Sequence, residues 1–394
     1  MWTRRSLMGI TLGALGAATV SPLLNARAAG RRDPRMVVIV LRGALDGLAA
    51  VPAYGDRAYL SARGDVATPP PGSEGGAIDL DGLFGLHPAM ADLMPLWEAD
   101  QFAVVHATGT PYRDRSHFDG QDVLENGTHS PFHTDTGWLN RALLGRDDPR
   151  PAVAIGRDIP KILRGRAAVT STDPSRNPRE RDAFLDTLQS IYASDPMLHA
   201  ALSASLEAQE MLAAHASDVG LRGGGRISSE HVAQLVGSML SSASGPRIAV
   251  LEMSGWDTHV GQKATLNRQL ASLASAIAAF PKAMGDAWAH TAVVVVSEFG
   301  RTVHGNGTGG TDHGTGGVAL LAGGGLRGGR VVHKWPGLGE HHLLDGRDLM
   351  PSIDLRAILK GTLRDHLGLS MSHLEDVVFP NSREVNAIDG LWRA

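Results

Sequence analysis

The sequence predicts an α/β fold in which a mostly parallel central sheet carries helices on both faces. Four runs of aliphatic, largely β-branched residues are continuous rather than alternating, as is typical of strands buried on both faces of a parallel sheet. These runs are residues 36–41, 102–106, 247–253 and 291–296. Segments with apolar residues at helical spacing separate the runs, and a polar cluster follows each of them. This alternation favours a parallel sheet.

The remaining segments extend this prediction in chain order. After an irregular proline-rich loop at 68–72, further helices are expected at 88–97, from Ser116 onward, and at 227–241, 262–288 and 354–367. Shorter strands are expected at 152–155, 318–322 and 330–332. Residues 178–215 show helical spacing in two parts divided near Pro196. We therefore expect one domain over residues 29–394, with residues 178–241 as a candidate helical cap inserted into it.

Composition excludes several classes of function. The chain has 394 residues, of which 43% are hydrophobic and 20% charged, and its formal net charge of −4 lacks the basic excess of a general nucleic-acid binder. Because there is no cysteine, disulfides, thiolate zinc sites and iron–sulfur clusters are excluded. Any metal must therefore be bound by His, Asp or Glu. Glycine is enriched, and 12 of the 48 glycines lie between residues 305 and 329.

The N-terminus has the pattern of a twin-arginine export signal. Arg4-Arg5 precedes an apolar run at 9–24, and Ala26-Arg27-Ala28 supplies the small residues that a signal peptidase recognises. The run is rich in Gly and Ala and falls short of the roughly 20 strongly hydrophobic residues that a membrane span needs. The sequence thus predicts a signal peptide over residues 1–28, export by the twin-arginine translocase, a periplasmic or secreted location and no stable membrane span.

The polar clusters at the predicted strand ends form the candidate site, because ligands of open α/β sheets bind outside the carboxyl ends of the strands. The clusters are Asp46, Ser116-His117, Asp257-Thr258-His259, Glu298 and, further on, Asp312-His313. Carboxylates and imidazoles are the ligands of divalent cations when thiolates are absent. The sequence therefore predicts a site for zinc, calcium or magnesium.

Two clusters also have structural interpretations. Asp257 could cap the following helix while His259 is solvated. Ser116 and Asp119 match a capping box, although a helix N-terminus would also stabilise a serine that attacks phosphate.

Other patterns lie near the clusters. Arg113 and Arg115 could hold a phosphate or sulfate in bidentate fashion. The glycine pattern at 305–310 matches the dinucleotide-binding string but does not open a helix after a strand, and G-x-S-x-G is absent. A Rossmann site and a hydrolase nucleophile elbow are therefore excluded.

An ordered set of motifs spans the chain after residue 41. The motifs are R-G-A-L-D-G-L (42–48), L-D-G-L-F-G-L-H-P (80–88), P-Y-R-D-R-S-H-F-D-G-Q-D (111–122), G-W-L-N-R (137–141), W-D-T-H (256–259), S-E-F-G-R-T (297–302), G-T-D-H-G (310–314) and D-G-R-D-L (345–349). Together they resemble the domain of unknown function 1501 family, exported bacterial proteins that usually carry a twin-arginine signal. The resemblance implies an alkaline-phosphatase-like fold, related to phosphatases and sulfatases with one or two metal ions.

The resemblance also implies roles for individual residues. Asp46 resembles the carboxylate that bridges two metals, and Ser116 resembles the nucleophile. The implied metal ligands are Asp257, His259, Glu298 and His313. The usual Asp-His pair is Glu298-Phe299 here, and the spacing of Asp257 and His259 is shorter than the common one. Asp312 or His117 is expected to compensate for the missing imidazole, or the site holds one ion, or none.

The sequence thus predicts a metal-dependent hydrolase of phosphate or sulfate esters. A divalent ion would activate the Ser116 hydroxyl or a water, while Arg115 or Arg301 neutralises developing charge. The expected partner is a small anionic ester or an envelope component, not nucleic acid. A non-catalytic periplasmic binding or assembly protein on the same fold is the alternative, and a mutase or transferase that uses the same site is a third possibility.

Overall fold

The computed structural model describes residues 33–146, 152–174 and 227–393, together with a few positions between residues 150 and 206. The predicted signal peptide at 1–28 and most of the predicted helical stretch at 178–215 lie outside the described residues. Across the part that is described, no helix is both long enough and apolar enough to cross a membrane.

Among the residues that the structure describes, nine strands form the central sheet and a separate pair forms a small hairpin. The sheet strands are β1 (Arg35–Arg42), β4 (Phe102–Gly109), β5 (Ala152–Ile155), β6 (Val169–Thr172), β7 (Ile248–Ser254), β8 (Thr291–Ser297), β9 (Gly317–Ala322), β10 (Arg330–Val332) and β11 (Ile353–Asp354), and the hairpin strands are β2 (Ile78–Asp79) and β3 (Gly85–Leu86). Every strand predicted from an apolar run is present. The hairpin, β6 and β11 were not predicted, since none of these strands is a run of apolar residues.

The strands run in the order β10-β4-β9-β8-β1-β7-β5-β6, and β11 pairs with β4. Within this sheet the pairs are parallel except those of β9, which is antiparallel to both β4 and β8. The predicted α/β class with a mostly parallel sheet is therefore confirmed. Because β1, β4, β7 and β8 point the same way, their carboxyl ends lie along one edge of the sheet, and β9 begins at that same edge.

Nine α-helices and several shorter turns occur among the described residues. The helices are α1 (Gly47–Ala50), α2 (Tyr59–Arg63), α3 (Met94–Glu98), α4 (His117–Asn126), α5 (Trp138–Leu143), α6 (Ser229–Ser241), α7 (Gln262–Met284), α8 (Leu355–Asp365) and α9 (Met371–His373). The 3₁₀ turns are Gly64–Val66, Pro88–Leu93, Lys161–Leu163, Gly285–His290 and Glu340–His342, and a π turn covers Leu374–Val378. The long predicted helix at 262–288 is α7 followed by a 3₁₀ turn, because Gly285 ends the α-helix.

Both faces of the sheet are buried, and β1 shows why its apolar run does not alternate. Val37, Ile39 and Leu41 pack with α6 and α7 on one face. Met36 and Val38 pack with α5 and α8 on the other face. Helix α6, which forms the end of the predicted cap at 178–241, contributes buried side chains to the main core. The two layers of helices leave the carboxyl edge of the sheet as the place where loops meet.

Candidate metal-binding site at the carboxyl edge of the sheet

The loops that follow β1, β4, β7 and β8 meet the segment before β9 at one edge of the sheet. Two glycines allow the loops to approach closely. Gly43 has φ +116°, and a Cβ there would lie 2.5 Å from the backbone nitrogen of Asp257. A Cβ at Gly310 would lie 2.2 Å from the carbonyl oxygen of His259. The glycine-rich sequence around residue 310 thus brings the loop after β7 against the segment that carries His313.

Three histidines converge through their Nε2 atoms. The Nε2 of His313 lies 2.9 Å from the Nε2 of His117 and 3.0 Å from the Nε2 of His259. His117 is the first residue of α4, while His259 and His313 lie on loops.

Each of these rings uses its other nitrogen to contact an oxygen atom. The Nδ1 of His117 lies 2.8 Å from Oε1 of Glu298, and the Nδ1 of His259 lies 3.0 Å from Oδ1 of Asp312. The Nδ1 of His313 lies 2.9 Å from the carbonyl oxygen of Arg115. A carbonyl or carboxylate oxygen can only accept, so Nδ1 carries the proton in all three rings. Outer contacts of this kind fix the tautomer of histidines that ligate metals.

This assignment leaves three Nε2 lone pairs facing one another at the centre of the cluster. Lone pairs at about 3 Å repel, and Asp257 adds a carboxylate to the same place. Its Oδ1 lies 3.0 Å from the Nε2 of His259 and 3.3 Å from that of His313, and its Oδ2 lies 3.4 Å from the Nε2 of His117. The cluster therefore needs a shared positive charge, which either a proton or a metal ion can supply. One ligand atom each from His117, Asp257 and His313 lies within 4.8 Å of the others, as a metal site requires.

A buried arginine orients Asp257. Nη1 of Arg301 donates to Oδ1 of Asp257 at 2.6 Å, and the Arg301 side chain is fully buried. Its Nε donates to the hydroxyl of Thr311 at 3.2 Å. Burial opposes ionisation of Asp257, but the Arg301 hydrogen bond and charge hold the pKa of Asp257 below its usual value. Asp257 is therefore a carboxylate that is ready to bind a cation.

Glu298 is fully buried and holds His117 in place. Its Oε1 accepts hydrogen bonds from the backbone of Gly43 at 2.8 Å and from the Gln121 amide at 3.1 Å, besides the one from His117. Burial of Glu298 opposes its ionisation. The hydrogen bonds that it accepts, of which the one from His117 has the largest effect, nevertheless keep the pKa of Glu298 below its usual value. The same bond raises the pKa of His117, against the effect of burial. Phe299 stacks on the His117 ring with centroids 5.0 Å apart.

Most of the chain matches one family model. The family model described as protein of unknown function (DUF1501) matches residues 81–378. The chain belongs to the DUF1501 family. No curated protein matches it. The predicted resemblance is therefore confirmed, and His117, Asp257, His259 and His313 all lie inside the matched region of this DUF1501 chain.

Several solved structures resemble the DUF1501 chain at low sequence identity. A protein in the alkaline phosphatase superfamily from Vibrio parahaemolyticus is 11% identical with a TM-score of 0.38, over 77% of this chain and 63% of its own. The C-terminal periplasmic domain of EcEptC from Escherichia coli is 12% identical with a TM-score of 0.41, over 90% of this chain and 88% of its own. Phosphonate monoester hydrolase of Agrobacterium radiobacter is 12% identical with a TM-score of 0.35, over 85% of this chain and 74% of its own. The chain thus spans less than two thirds of the length of the first of these proteins.

Other predicted site residues of the DUF1501 chain lie at the same edge but outside this contact cluster. Asp46 caps α1 and pairs with Arg63. The guanidinium of Arg115 pairs with Asp345 at 2.7 Å and with the buried Asp348 at 2.8 Å, while its carbonyl contacts His313. Arg115 therefore reaches the cluster through its backbone.

Ser116 is the N-cap residue of α4 and immediately precedes His117. Its hydroxyl makes no capping hydrogen bond to the helix that the structure describes, and the Tyr112 hydroxyl accepts from its backbone nitrogen at 3.2 Å. The capping-box interpretation is therefore wrong in this respect: the partner of Asp119 is the hydroxyl of Tyr112, at 3.3 Å.

Sequence reasoning missed two supporting residues. Gln121 follows His117 by four positions, so both lie on one face of α4 and reach Glu298 together. Phe299 occupies the position where an imidazole was expected, and it packs with Ala44, Tyr112 and Val123 beneath His117. Helical spacing could have identified Gln121, whereas nothing in the local sequence indicates the stacking.

Proposed function

We propose that this chain is an exported metal-dependent hydrolase of phosphate or sulfate esters. One observation carries the proposal: three imidazole Nε2 atoms and the Asp257 carboxylate face one another, while each Nδ1 is held by an oxygen atom. Convergent, neutral imidazoles with fixed tautomers and an ionised carboxylate are the donor set of a catalytic metal site.

The donor set favours zinc over the other predicted ions. Calcium and magnesium take mostly oxygen ligands, whereas imidazole nitrogens suit zinc and related transition ions. His117, Asp257 and His313 would hold the ion, and His259 lies close enough to two of them to join or replace one.

The residues around the ion would have different roles in the reaction. A divalent cation supplies a Lewis acid for the ester oxygen and lowers the pKa of the attacking hydroxyl. Glu298 and Asp312 keep the Nδ1 protons of their histidines in place, and Arg301 keeps Asp257 ionised. The Ser116 hydroxyl would attack phosphorus or sulfur at the N-terminus of α4, where backbone N–H groups favour negative charge. The bond to the ester oxygen would break as the new bond forms, and the substrate alcohol would leave with the proton that the hydroxyl loses. Water would then cleave the serine ester to release phosphate or sulfate, or would itself be the attacking group in place of Ser116.

The test combines metal analysis with activity. The purified mature chain should contain zinc and hydrolyse model phosphate or sulfate esters. Asp257→Ala should lose the metal, and Ser116→Ala should keep the metal but lose at least about 100-fold in turnover if the serine is the nucleophile. Ser275→Ala, which removes a hydroxyl bonded to a local carbonyl of α7, is the matched control. Metal-free protein, or turnover indifferent to Asp257→Ala, would contradict the proposal.

A non-catalytic metal-binding protein is the second candidate, and one observation favours it. The two guanidinium groups expected to neutralise developing charge already pair with carboxylates: Arg301 with Asp257, and Arg115 with Asp345 and Asp348. This candidate predicts bound zinc with no turnover of any ester. A phosphorylated Ser116 that transfers its phosphoryl group to an acceptor alcohol would instead indicate a mutase or transferase.

We also propose that residues 1–28 direct export through the twin-arginine translocase and that residues 29–394 act in the periplasm or outside the cell. The support is the Arg4-Arg5 motif and the apolar run behind it. Replacing both arginines by lysine should retain the chain in the cytoplasm. Unchanged export of this variant in cell fractionation would contradict the proposed route.

A further inference from the structure

Asp46 is a buried carboxylate whose two oxygens both accept hydrogen bonds from the protein. Its Oδ1 accepts from the backbone nitrogen of Ala49 at 3.1 Å. Its Oδ2 accepts from Nη2 of Arg63 at 2.5 Å and from the Gln262 amide at 2.6 Å. Both lone pairs of Oδ2 are thus used by protein donors, and Oδ1 uses one of its two.

The positive charge beside Asp46 is a guanidinium. The side chain of Arg63 is fully buried, and its Nη1 also donates to the carbonyl oxygens of Thr302 and Val303 at 3.1 and 2.9 Å. A buried, permanently charged group that is fixed by three acceptors resists displacement, and it would repel a second cation at the same carboxylate.

A chain of hydrogen bonds connects Asp46 to Asp257. The amide oxygen of Gln262 accepts from the hydroxyl of Thr311 at 2.6 Å, and that hydroxyl accepts from Nε of Arg301 at 3.2 Å. Arg301 in turn donates to Asp257 at 2.6 Å. The connection is directional, because Gln262 donates to Asp46 through its nitrogen and accepts through its oxygen. Asp46 thereby fixes which way the Gln262 amide faces.

We propose that Asp46 is a positioning residue for Asp257, acting through Gln262, Thr311 and Arg301, and that the Arg63 guanidinium takes the place of a second cation. The centre then holds one divalent ion. This inference rests on the metal site of the proposed function but not on any catalytic activity. It differs from the role that the family resemblance implies for Asp46, which is direct ligation of two metals.

Two threonines provide a matched pair of variants. Thr311 and Thr258 both donate to the amide oxygen of Gln262, at 2.6 and 3.0 Å, but Thr311 alone also accepts from Arg301. Thr311→Val removes the hydroxyl that links Gln262 to Arg301, while Nη2 of Arg301 keeps its hydrogen bond to the backbone carbonyl of Thr311. Thr258→Val removes a similar hydroxyl without breaking that link. These variants are better suited to the test than Asp46→Asn, which leaves the buried Arg63 without a counter-charge and is expected to fold poorly.

The experiment measures zinc binding to the metal-free chain by calorimetry, with metal content by elemental analysis. Wild type should bind one zinc ion per chain. Thr311→Val should weaken zinc binding about 10-fold, and Thr258→Val should change it by less than about 2-fold. Two ions per chain, or equal effects of the two variants, would overturn the inference.

A second measurement, made without metal, separates this inference from the proposed function. Hydrogen exchange at Nε of Arg301, followed by NMR in the metal-free chain, should accelerate at least 10-fold in Thr311→Val and remain unchanged in Thr258→Val. If zinc does not bind but the two variants differ in this way, the proposed function fails and the positioning network stands. If zinc binds but exchange is the same in both variants, the network fails and the metal site stands.

Discussion

His117 and His259 contact the same atom, the Nε2 of His313, at 2.9 and 3.0 Å, and each directs its Nδ1 at a carboxylate. Their surroundings differ. The carboxylate behind His117 is Glu298, whose side chain is 0% exposed, whereas the one behind His259 is Asp312, whose side chain is 55% exposed. His117 begins a helix and stacks on Phe299, while His259 lies in a loop beside the exposed Val260.

The difference shows that a contact between a histidine and a carboxylate can have different effects at different depths in the protein. A buried carboxylate acts in a low dielectric medium and has few alternative partners, so it fixes its histidine firmly. An exposed carboxylate is screened by solvent and salt, and its contribution is small. We infer that the His117 side is the rigid half of the site and that the His259 side can adjust when an ion or substrate binds.

The largest expected effect comes from removing the charge behind His117. Glu298→Gln preserves the shape of the side chain but replaces an ionised acceptor by a neutral amide. Loss of such an outer contact typically costs 10–100-fold in metal affinity, and we expect a loss of about 100-fold because Glu298 is fully buried. Calorimetric titration of the metal-free chain with zinc measures the change.

A control for Glu298→Gln lies on β7, which β1 separates from β8 in the sheet. Glu252 is on β7, its side chain is 38% exposed, and it pairs with Arg42 outside the histidine cluster. Glu252→Gln should leave zinc affinity within about 2-fold of wild type, as expected for a surface ion pair. If both glutamine variants weaken binding equally, burial does not explain the role of Glu298.

A smaller effect is expected in the pH dependence of folding. The hydrogen bond that His117 donates to Glu298 raises the pKa of His117, so protonated His117 stabilises the metal-free folded state. This contribution is fully present below the unfolded pKa of about 6.5 and is lost as the pH rises through the raised folded pKa of His117. Glu298 stays ionised over this window because its own pKa is lowered.

Glu298→Gln removes the main cause of that shift, so the pKa of His117 should fall in the variant. Urea unfolding of metal-free wild type and variant should therefore show a larger stability difference at pH 6 than at pH 9. Titration of the His117 ring by NMR gives the pKa directly. A stability difference that is the same at both pH values would show that protonated His117 and Glu298 are not coupled.

How much of the site the sequence predicts depends on how far apart in the chain the contacting residues lie. The sheet could be predicted because its strands are continuous β-branched runs, and Asp257 and His259 could be placed at its edge because they follow such a run directly. His313 lies in a loop before β9 and reaches the edge through a bridge with Arg301. Strand ends and family motifs thus locate the residues whose side chains meet at this edge of the sheet.

What the sequence could not determine is which group each carboxylate contacts. Asp46 meets Arg63 and, 216 positions away, Gln262, and neither partner is marked by spacing. Glu298 follows its strand as predicted, but its Oε1 turns toward His117, which is 181 positions away. Such choices depend on side-chain rotamers and on which donors the packed loops bring near, so they require the three-dimensional arrangement.

The smallest expected effect on zinc affinity comes from Asp312, the exposed carboxylate beside His259. Asp312→Asn removes the charge that contacts His259 but keeps an oxygen that can accept from its Nδ1 and from the Asn306 amide, which lies 3.2 Å away. Hydrogen bonds from Asn306 and then His259 lower the pKa of Asp312, so the charge is present at neutral pH. Because solvent screens this charge, zinc affinity should fall by less than about 10-fold, at the low end for outer contacts. High salt should reduce the effect further while leaving that of Glu298→Gln unchanged, since buried charges are little affected by ions in solution. If Asp312→Asn weakens zinc binding as much as Glu298→Gln at both low and high salt, the two sides of the site are equally rigid, and exposure does not distinguish them.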